Sequence, residues 1–289
     1  MKSAYKAAAK INLMLDILSR LDNGYHSLFM IMQSVSLFDK VEVIKTSNGG
    51  IRLLSNEKRI PCDETNIAHK AARAFFDYVG EKDNNISIYI EKNIPFAAGL
   101  AGGSADGAAV IAALNDIYQT KLTERELCSI GVKVGADVPF CLTGGTRLAQ
   151  NIGEVLSPLP DLNECYIIIV KPEQGVATGA AYAEFDKHGV RHLDTGSMLY
   201  SAANGNFDKI CSLTGNVFEQ LIEVPQRVPI KSVMLKNNAS CACMSGSGPS
   251  VFGIFKKIDD AMCAIEELKK EHKDVFLTRP VASGLIKEY

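Results

Sequence analysis

The sequence PFAAGLAGGSADGAAVIAA, residues 95–113, places Gly99, Gly102 and Gly103 among small side chains and then continues into an alanine-rich run that includes Gly107. Residues 86–91, just upstream, alternate apolar with polar side chains, which is the period of a half-buried strand. Alanine favours helices and Ser104 is a good N-cap, so a helix is predicted to begin there. Glycine lets backbone approach a ligand closely, and the unpaired N–H groups of a helix start attract anions. We call residues 95–103 the glycine loop. The order of a strand, this loop and a helix therefore predicts a phosphate-binding loop.

Two widespread phosphate-binding motifs do not fit these glycines. No Gly-Lys-Ser/Thr follows them, which excludes the P-loop. The spacing of Gly99, Gly102 and Gly103 does not match the G-x-G-x-x-G fingerprint of dinucleotide-binding proteins. The remaining alternative is a tight connection between packed elements. Three glycines in five residues, ending at a serine, favour anion binding over that alternative.

Composition narrows the class of protein. The chain has 289 residues, of which 47% are hydrophobic and 22% charged, a composition that is ordinary for a globular protein. Its formal net charge is −2, so we expect no extended basic surface for binding nucleic acid. Residues 1–15 lack the apolar core of a signal peptide, and no apolar run approaches the ~20 residues of a membrane-spanning helix. The eight cysteines are dispersed except for Cys241 and Cys243, which favours reduced thiols over zinc ligands. We expect a cytoplasmic protein without a membrane or nucleic-acid partner.

Two charged residues interrupt apolar surroundings. Lys10 lies within residues 7–15, which read as a strand, and a lysine there is costly to bury unless it meets an anion. A lysine at a sheet edge is the alternative. Asp137, in the segment GADVP, is flanked by small and apolar residues. It is either an enclosed functional carboxylate or the N-cap of a short helix, and its spacing from Pro139 suits a cap.

Other polar candidates are less informative by themselves. Residues 22–24, Asp-Asn-Gly, predict a hairpin turn, and Tyr25 and His26 follow it, a position where surface residues are common. Asn66 and Lys92 read as solvated side chains.

The order of elements predicts an α+β fold, since hairpins precede helices and no regular βα alternation occurs. Thr65 is predicted to cap a helix that ends at Gly80, residues 123–126 form a capping box, and Asp259 is predicted to cap the last helix. Prolines near residue 158 predict a boundary between a domain of residues 1–158 and one of residues 159–289.

Several short motifs resemble those of the GHMP kinases (galacto-, homoserine, mevalonate and phosphomevalonate kinases), and the resemblance covers almost the whole chain. The glycine loop is similar to the family pattern P-x-x-x-G-L-x-x-S, and residues 244–250, MSGSGPS, resemble the third family motif. AKINL around Lys10, D-x-G-Y-H ending at His26 and GADVP around Asp137 resemble the branch that phosphorylates 4-diphosphocytidyl-2-C-methyl-D-erythritol. Asn151 and Ala177 depart from the corresponding family segments.

The resemblance implies a nucleotide-binding N-terminal domain, a ferredoxin-like C-terminal domain and an active site between them. It implies phosphoryl transfer from ATP, with Mg²⁺, to a substrate carrying a cytidine diphosphate. The implied catalytic residues are Lys10 and Asp137. The implied ATP-binding residues are Asn66, Lys92, Pro95, Phe96, Ala97, Ala98, Gly99, Leu100, Ala101, Gly102, Gly103, Ser104 and Ala105. The implied substrate-binding residues are Asn12, Tyr25, His26, Thr178 and Tyr182.

Some points stay open at this stage. Metal ligands are not assigned, although the Ser104 hydroxyl and, alternatively, Asp106 are candidates to meet metal or phosphate. A monomer and a homodimer are both compatible with the sequence. The alternatives in function are another small-molecule kinase of the family, acting on mevalonate or homoserine, and a catalytically silent relative that binds nucleotide and sugar. Tyr25, His26 and the Lys10/Asp137 pair argue against the first alternative. The retention of both Lys10 and Asp137 also argues against the second.

Overall fold

The computed structural model describes residues 1–162, 164–175 and 178–289, with Thr178 described only by its place in a helix. The strands are β1 (Lys2–Arg20), β2 (His26–Lys45), β3 (Ile51–Ser55), β4 (Ile86–Glu91), β5 (Thr146–Asn151), β6 (Val155–Pro158), β7 (Tyr166–Lys171), β8 (Gly215–Asn216), β9 (Cys241–Met244), β10 (Val251–Phe255), β11 (Asp274–Thr278) and β12 (Leu285–Lys287). The helices are α1 (Ile67–Val79), α2 (Gly102–Ile117), α3 (Glu124–Val132), α4 (Val138–Thr143), α5 (Thr178–His188), α6 (Thr195–Ala203), α7 (Phe207–Leu213), α8 (Arg227–Lys236) and α9 (Ile258–Leu268), with a 3₁₀ turn at Val217–Gln220.

The first sheet has eight strands and is built on the long antiparallel hairpin of β1 and β2. Arg20 lies opposite His26 at its end, so the turn predicted at residues 22–24 is confirmed. The order β12-β1-β2-β4-β3 continues the sheet, β5 and β6 extend it from β2, and β8 joins β1. β3 follows β2 in the chain but pairs in parallel with β4 rather than with β2. The turn between β2 and β3 therefore does not form a hairpin.

The second sheet has the antiparallel order β11-β7-β10-β9. Helices α8 and α9 contribute buried side chains, including Ile230 and Ala264, to the core beside this sheet. This arrangement agrees with the expected ferredoxin-like half, and the α+β prediction is confirmed. β12 leaves this half and pairs with β1, so the end of the described chain completes the first sheet.

Helix α2 begins earlier than the sequence predicted. Gly102 and Gly103 already have helical backbone, and Ala101 occupies the cap position in the left-handed conformation with φ 58° and no side-chain cap bond. The expectation that Ser104 is the N-cap is therefore wrong, and Ser104 is the third helical residue. Behind it, most of the helix is buried, including Ala105 and Asp106.

Two other predicted caps are also wrong. Asn66, not Thr65, caps α1, because its Oδ1 accepts from the Ala68 N–H at 2.8 Å. Asp259 lies in the first turn of α9, after the cap position. Gly80 ends α1 in the left-handed conformation, and the capping box at residues 123–126 is present, as predicted.

None of the helices in the described part of the chain has the length and apolar character that crossing a membrane requires. The eight cysteines are free thiols, and Cys241 and Cys243 are buried.

Candidate active site

One cavity of about 880 Å³ lies between the two halves of the chain. It is lined by the glycine loop, by β1 and β2, and by residues of α5 and of the loop after β9. Most of the residues predicted for the site line it, namely Lys10, Tyr25, His26, Asn66, Lys92, residues 95–104, Asp137 and Tyr182. The structure thus brings together side chains that are far apart in the sequence.

Lys10 and Asp137 face each other in this cavity. Lys10 lies in the middle of β1 and is only 4% exposed, and its Nζ is 3.9 Å from Asp137 Oδ2. Asp137 occupies the cap position of α4, yet its side chain makes no cap hydrogen bond. Because the carboxylate is not used by the helix, it is available to Lys10 and to a ligand. Asp137 thus has the cap position that its spacing from Pro139 predicted, but its carboxylate, 32% exposed, lines the cavity and does not cap the helix.

Asn12 lies behind Lys10 and is fully buried, outside the cavity lining. Its Oδ1 accepts a hydrogen bond from Lys10 Nζ at 2.8 Å and another from the Gly246 N–H at 3.0 Å. The geometry gives Asn12 the role of orienting the lysine. Direct contact with substrate, which the resemblance implied, stays a prediction.

The glycine loop is fixed by the loop of residues 244–250. Gly99 has φ +75°, and a Cβ there would lie 2.3 Å from the Ser245 carbonyl oxygen, so only glycine fits. The Ser245 hydroxyl donates to the Gly99 carbonyl at 3.0 Å, and the Ser250 N–H donates to the Ala98 carbonyl at 3.3 Å. The third family motif therefore packs against the glycine loop, as the resemblance implied.

The N-terminus of α2 opens toward the cavity. The Lys10 N–H donates to the Leu100 carbonyl at 3.1 Å, which ties the glycine loop to β1. Gly102, Gly103 and Ser104 form the first turn of α2 and line the cavity, so the N–H groups of a helix start face this space. This is the geometry that binds an anion such as phosphate.

Lys92 is buried, which contradicts the expectation from its residue type that it is solvated. Its ammonium donates to Asp39 and, at 2.8 Å, to Asp106 Oδ2, and the three side chains are at most 6% exposed. Asp39 Oδ1 also accepts the N–H groups of Asn93 and Ile94 at 2.6 and 2.8 Å. The cluster therefore anchors the chain between β4 and the glycine loop.

Asp106 carries an unused oxygen in this cluster. Among the described residues, its buried Oδ1 has no hydrogen-bond partner, and the residue lines the cavity. Burial raises the pKa of the Asp106 carboxyl well above its usual range, although the nearby Lys92 opposes that shift. Asn66, also at the cavity, donates to the Pro61 carbonyl at 2.7 Å in addition to capping α1.

An aromatic group forms the other end of the cavity. The His26 ring lies over the Tyr182 ring, with centroids 4.9 Å apart and planes inclined by 20°. Tyr182 in turn meets the edge of Phe218 at 5.1 Å, and Tyr25 is 60% exposed beside the cavity. Burial is the main cause that raises the pKa of Tyr182, so the phenol stays neutral. Flat rings of this kind can stack on a base.

Two further predicted site residues, Thr178 and Ala105, are absent from the described lining of the cavity. Thr178 begins α5, but its side chain lies outside the described residues, as do Val176 and Ala177 of the same family segment. Ala105 is fully buried behind the cavity surface.

Sequence reasoning missed several supporting residues. Asp39, Asp186 and Asn216 were not singled out, yet Asp186 accepts from His26, and the Asn216 amide donates to the Met244 and Gly246 carbonyls at 2.8 and 2.7 Å. Asp39 gave one signal, because it interrupts the apolar pattern of β2. Asp186, between Phe185 and Lys187 in a helix with other charged residues, and Asn216, beside Gly215 and Val217, gave no such signal.

Comparisons with known proteins agree on one family. The model described as GHMP kinases N terminal domain matches residues 66–145, and the model described as GHMP kinases C terminal matches residues 201–274. The chain is 43% identical to the 4-diphosphocytidyl-2-C-methyl-D-erythritol kinase of Clostridium acetobutylicum, over 96% of this chain and 99% of that protein. It is 41% identical to the kinase of the same name from Caldicellulosiruptor saccharolyticus, over 94% and 95%.

Solved structures extend this similarity. A crystal structure of 4-(cytidine 5'-diphospho)-2C-methyl-D-erythritol kinase matches with a TM-score of 0.78 and 28% identity, over 97% of this chain and 99% of that one. Homoserine kinase from Cytophaga hutchinsonii matches with a TM-score of 0.81 but only 19% identity, over 99% and 97%, which shows a shared fold.

Proposed function

Because this chain belongs to the GHMP kinases, in the branch of the 4-diphosphocytidyl-2-C-methyl-D-erythritol kinases, we propose that it phosphorylates that substrate with ATP. The oxygen of the substrate 2-hydroxyl forms a bond to the γ-phosphorus, the bond from that phosphorus to the β–γ bridging oxygen breaks, and ADP leaves. The observation that carries the proposal is the Lys10–Asp137 pair, which lies in the same cavity as the N-terminus of α2. Aromatic side chains line the other end of this cavity.

Asp137 is the proposed general base. An alcohol is a weak nucleophile, and a positioned carboxylate that accepts its proton accelerates transfer by about 10²–10⁴-fold. Asp137 Oδ2 has its closest cationic neighbour, Lys10 Nζ, at 3.9 Å. The ammonium attracts the carboxylate and also stabilises the charge that develops on the transferring phosphoryl group. Asn12 holds the lysine in that position.

The glycine loop is the proposed site for the α- and β-phosphates, through backbone N–H groups at the start of α2. We assign Asn66 and Lys92 to the adenine end of the nucleotide, on the resemblance and on their place in the cavity lining. Because Lys92 is held by two carboxylates, its own contribution is to fix the loop.

Mg²⁺ is the proposed companion of ATP, and the site fits it. No group of three or more His, Cys, Asp or Glu side chains in the described ranges could hold a metal ion without the nucleotide. Asp106 Oδ1, buried and without a partner among the described residues, and the Ser104 hydroxyl are the oxygens that would complete its coordination beside the phosphates. The ion would neutralise charge on the γ-phosphoryl group.

The aromatic end is the proposed cytidine site. Tyr25 and Tyr182 offer ring faces, and His26 offers a polar edge beside them. A kinase for mevalonate or homoserine would have no base to place against these rings. We also infer a cytoplasmic enzyme, in keeping with the eight free thiols, that acts as a monomer or a homodimer without nucleic-acid or membrane partners.

The test is an ATP-consumption assay with 4-diphosphocytidyl-2-C-methyl-D-erythritol, mevalonate and homoserine as separate acceptors. We expect turnover with the cytidine substrate and rates at least a hundredfold lower with the other two. Asp137→Asn serves as the inactive control. Preferential use of mevalonate or homoserine would refute the proposed substrate, and no turnover with any of them would refute the kinase assignment.

A further inference from the structure

The His26 ring is held by a carboxylate from the other half of the chain. Its Nε2 lies 2.8 Å from Asp186 Oδ1, and the two residues are 160 positions apart in the sequence. The second carboxylate oxygen of Asp186 is 3.5 Å from Arg20 Nη1, at the end of β1. Asp186 therefore joins α5 to the hairpin that carries His26.

This contact fixes where the imidazole carries its hydrogen. The hydrogen bond from His26 is the largest cause that lowers the pKa of the Asp186 carboxyl, which keeps it ionised. An ionised carboxylate can only accept hydrogen bonds, so Nε2 must be the protonated ring nitrogen. In a neutral imidazole, Nδ1 then carries a lone pair and is an acceptor.

The orientation of the His26 ring determines what the Nδ1 acceptor can bind. Because the His26 plane is inclined by only 20° to the Tyr182 ring, a base lying in the imidazole plane would also stack on Tyr182. Such a base presents its hydrogen-bonding edge to the edge of His26. A 4-aminopyrimidine offers an N–H donor there, whereas a 4-oxopyrimidine offers an oxygen with lone pairs.

We propose that Asp186 is a specificity-determining residue: by holding the hydrogen on His26 Nε2, it leaves Nδ1 to accept from the exocyclic amino group of cytosine and to repel the carbonyl of uracil. Asp186 acts through His26 and is thus a positioning residue. The inference rests on the proposed function, because it requires that the substrate carries a nucleoside diphosphate. It adds the residue that decides which pyrimidine is accepted.

The experiment compares the cytidine substrate with its uridine analogue in Asp186→Ala, Asp186→Asn and the wild-type enzyme. Without Asp186 the imidazole can place its hydrogen on either nitrogen, so we expect the preference for cytidine, as a ratio of kcat/KM values, to fall about tenfold, which corresponds to ~1.4 kcal/mol. The loss should lie in KM for the cytidine substrate, while kcat and KM for ATP stay within about twofold. Asparagine can accept from or donate to Nε2, so Asp186→Asn should give an intermediate ratio.

Glu184→Gln is the matched control, since Glu184 lies on the same helix and pairs with Lys187 and His188, away from His26. An unchanged cytidine-to-uridine ratio in both Asp186 variants would overturn the inference. So would an equal fall in kcat for both substrates, because that is the signature of a merely structural role. If Asp186→Ala does not fold, the ratio in Asp186→Asn decides. Failure of the proposed function would look different, because the wild-type enzyme itself would then not turn over the cytidine substrate.

Discussion

Replacing Gly99 with alanine tests whether the two glycine-serine loops form one rigid phosphate site. The new Cβ would lie 2.3 Å from the Ser245 carbonyl oxygen and 2.9 Å from that of Gly248, both backbone atoms, in a residue with φ +75°. Left-handed backbone costs a non-glycine residue ~1–2 kcal/mol and overpacking costs ~1–3 kcal/mol, so the free energy of unfolding should fall by about 2–5 kcal/mol. For 289 residues, that is a fall of roughly 3–8 °C in Tm.

The assay combines thermal unfolding with calorimetric titration of ATP. Because the loops must separate to admit the methyl group, ATP affinity should fall together with Tm. Gly103→Ala is the matched control: its Cβ would meet only Ile67 Cδ1, at 3.3 Å, in a residue that is already helical. That variant should keep the wild-type Tm within a few degrees. A Gly99→Ala enzyme with unchanged Tm and ATP affinity would refute the reasoning.

Three further changes address other parts of the site. Asp137→Asn should lower kcat by about 10²–10⁴-fold while calorimetry shows nearly normal ATP affinity, and near-normal turnover would exclude Asp137 as the base. Tyr25→Ala should raise KM for the cytidine substrate by about tenfold, since base–aromatic stacking is worth ~1–3 kcal/mol, and leave KM for ATP unchanged. An equal change in both Michaelis constants would argue against stacking. Lys92→Met removes the cation between two buried carboxylates and should lower the free energy of unfolding by about 3–5 kcal/mol in denaturant titrations, whereas a solvated lysine would give almost no change.

The sequence predicted the parts of this site that depend on local patterns. The glycine loop, the hairpin before His26 and the strand carrying Lys10 are each defined by neighbouring residues, and the structure contains all three elements. Ser104 shows the limit of such patterns, because the glycines before it adopt helical backbone and displace the predicted helix start.

The remaining features depend on residues that are distant in the sequence. Lys92 reads as solvated because its partner Asp39 lies 53 positions away, on β2. Asp186 reads as a surface residue of a polar helix until the fold brings it to His26. Nothing near Asn12 in the sequence indicates that its side-chain oxygen is shared between Lys10 and the distant Gly246. No local pattern contains these contacts, since each arises from packing between elements.

The pairing of β12 with β1 has a consequence for how the protein is made. Tyr5, Lys6 and Ala7 are synthesised long before their partners at Leu285–Lys287. Until β12 has been made, this part of β1 is an unpaired strand edge, the kind of surface that recruits strands from other chains. The strand that carries Lys10 therefore stays exposed to misassembly until β12 has left the ribosome and paired with it.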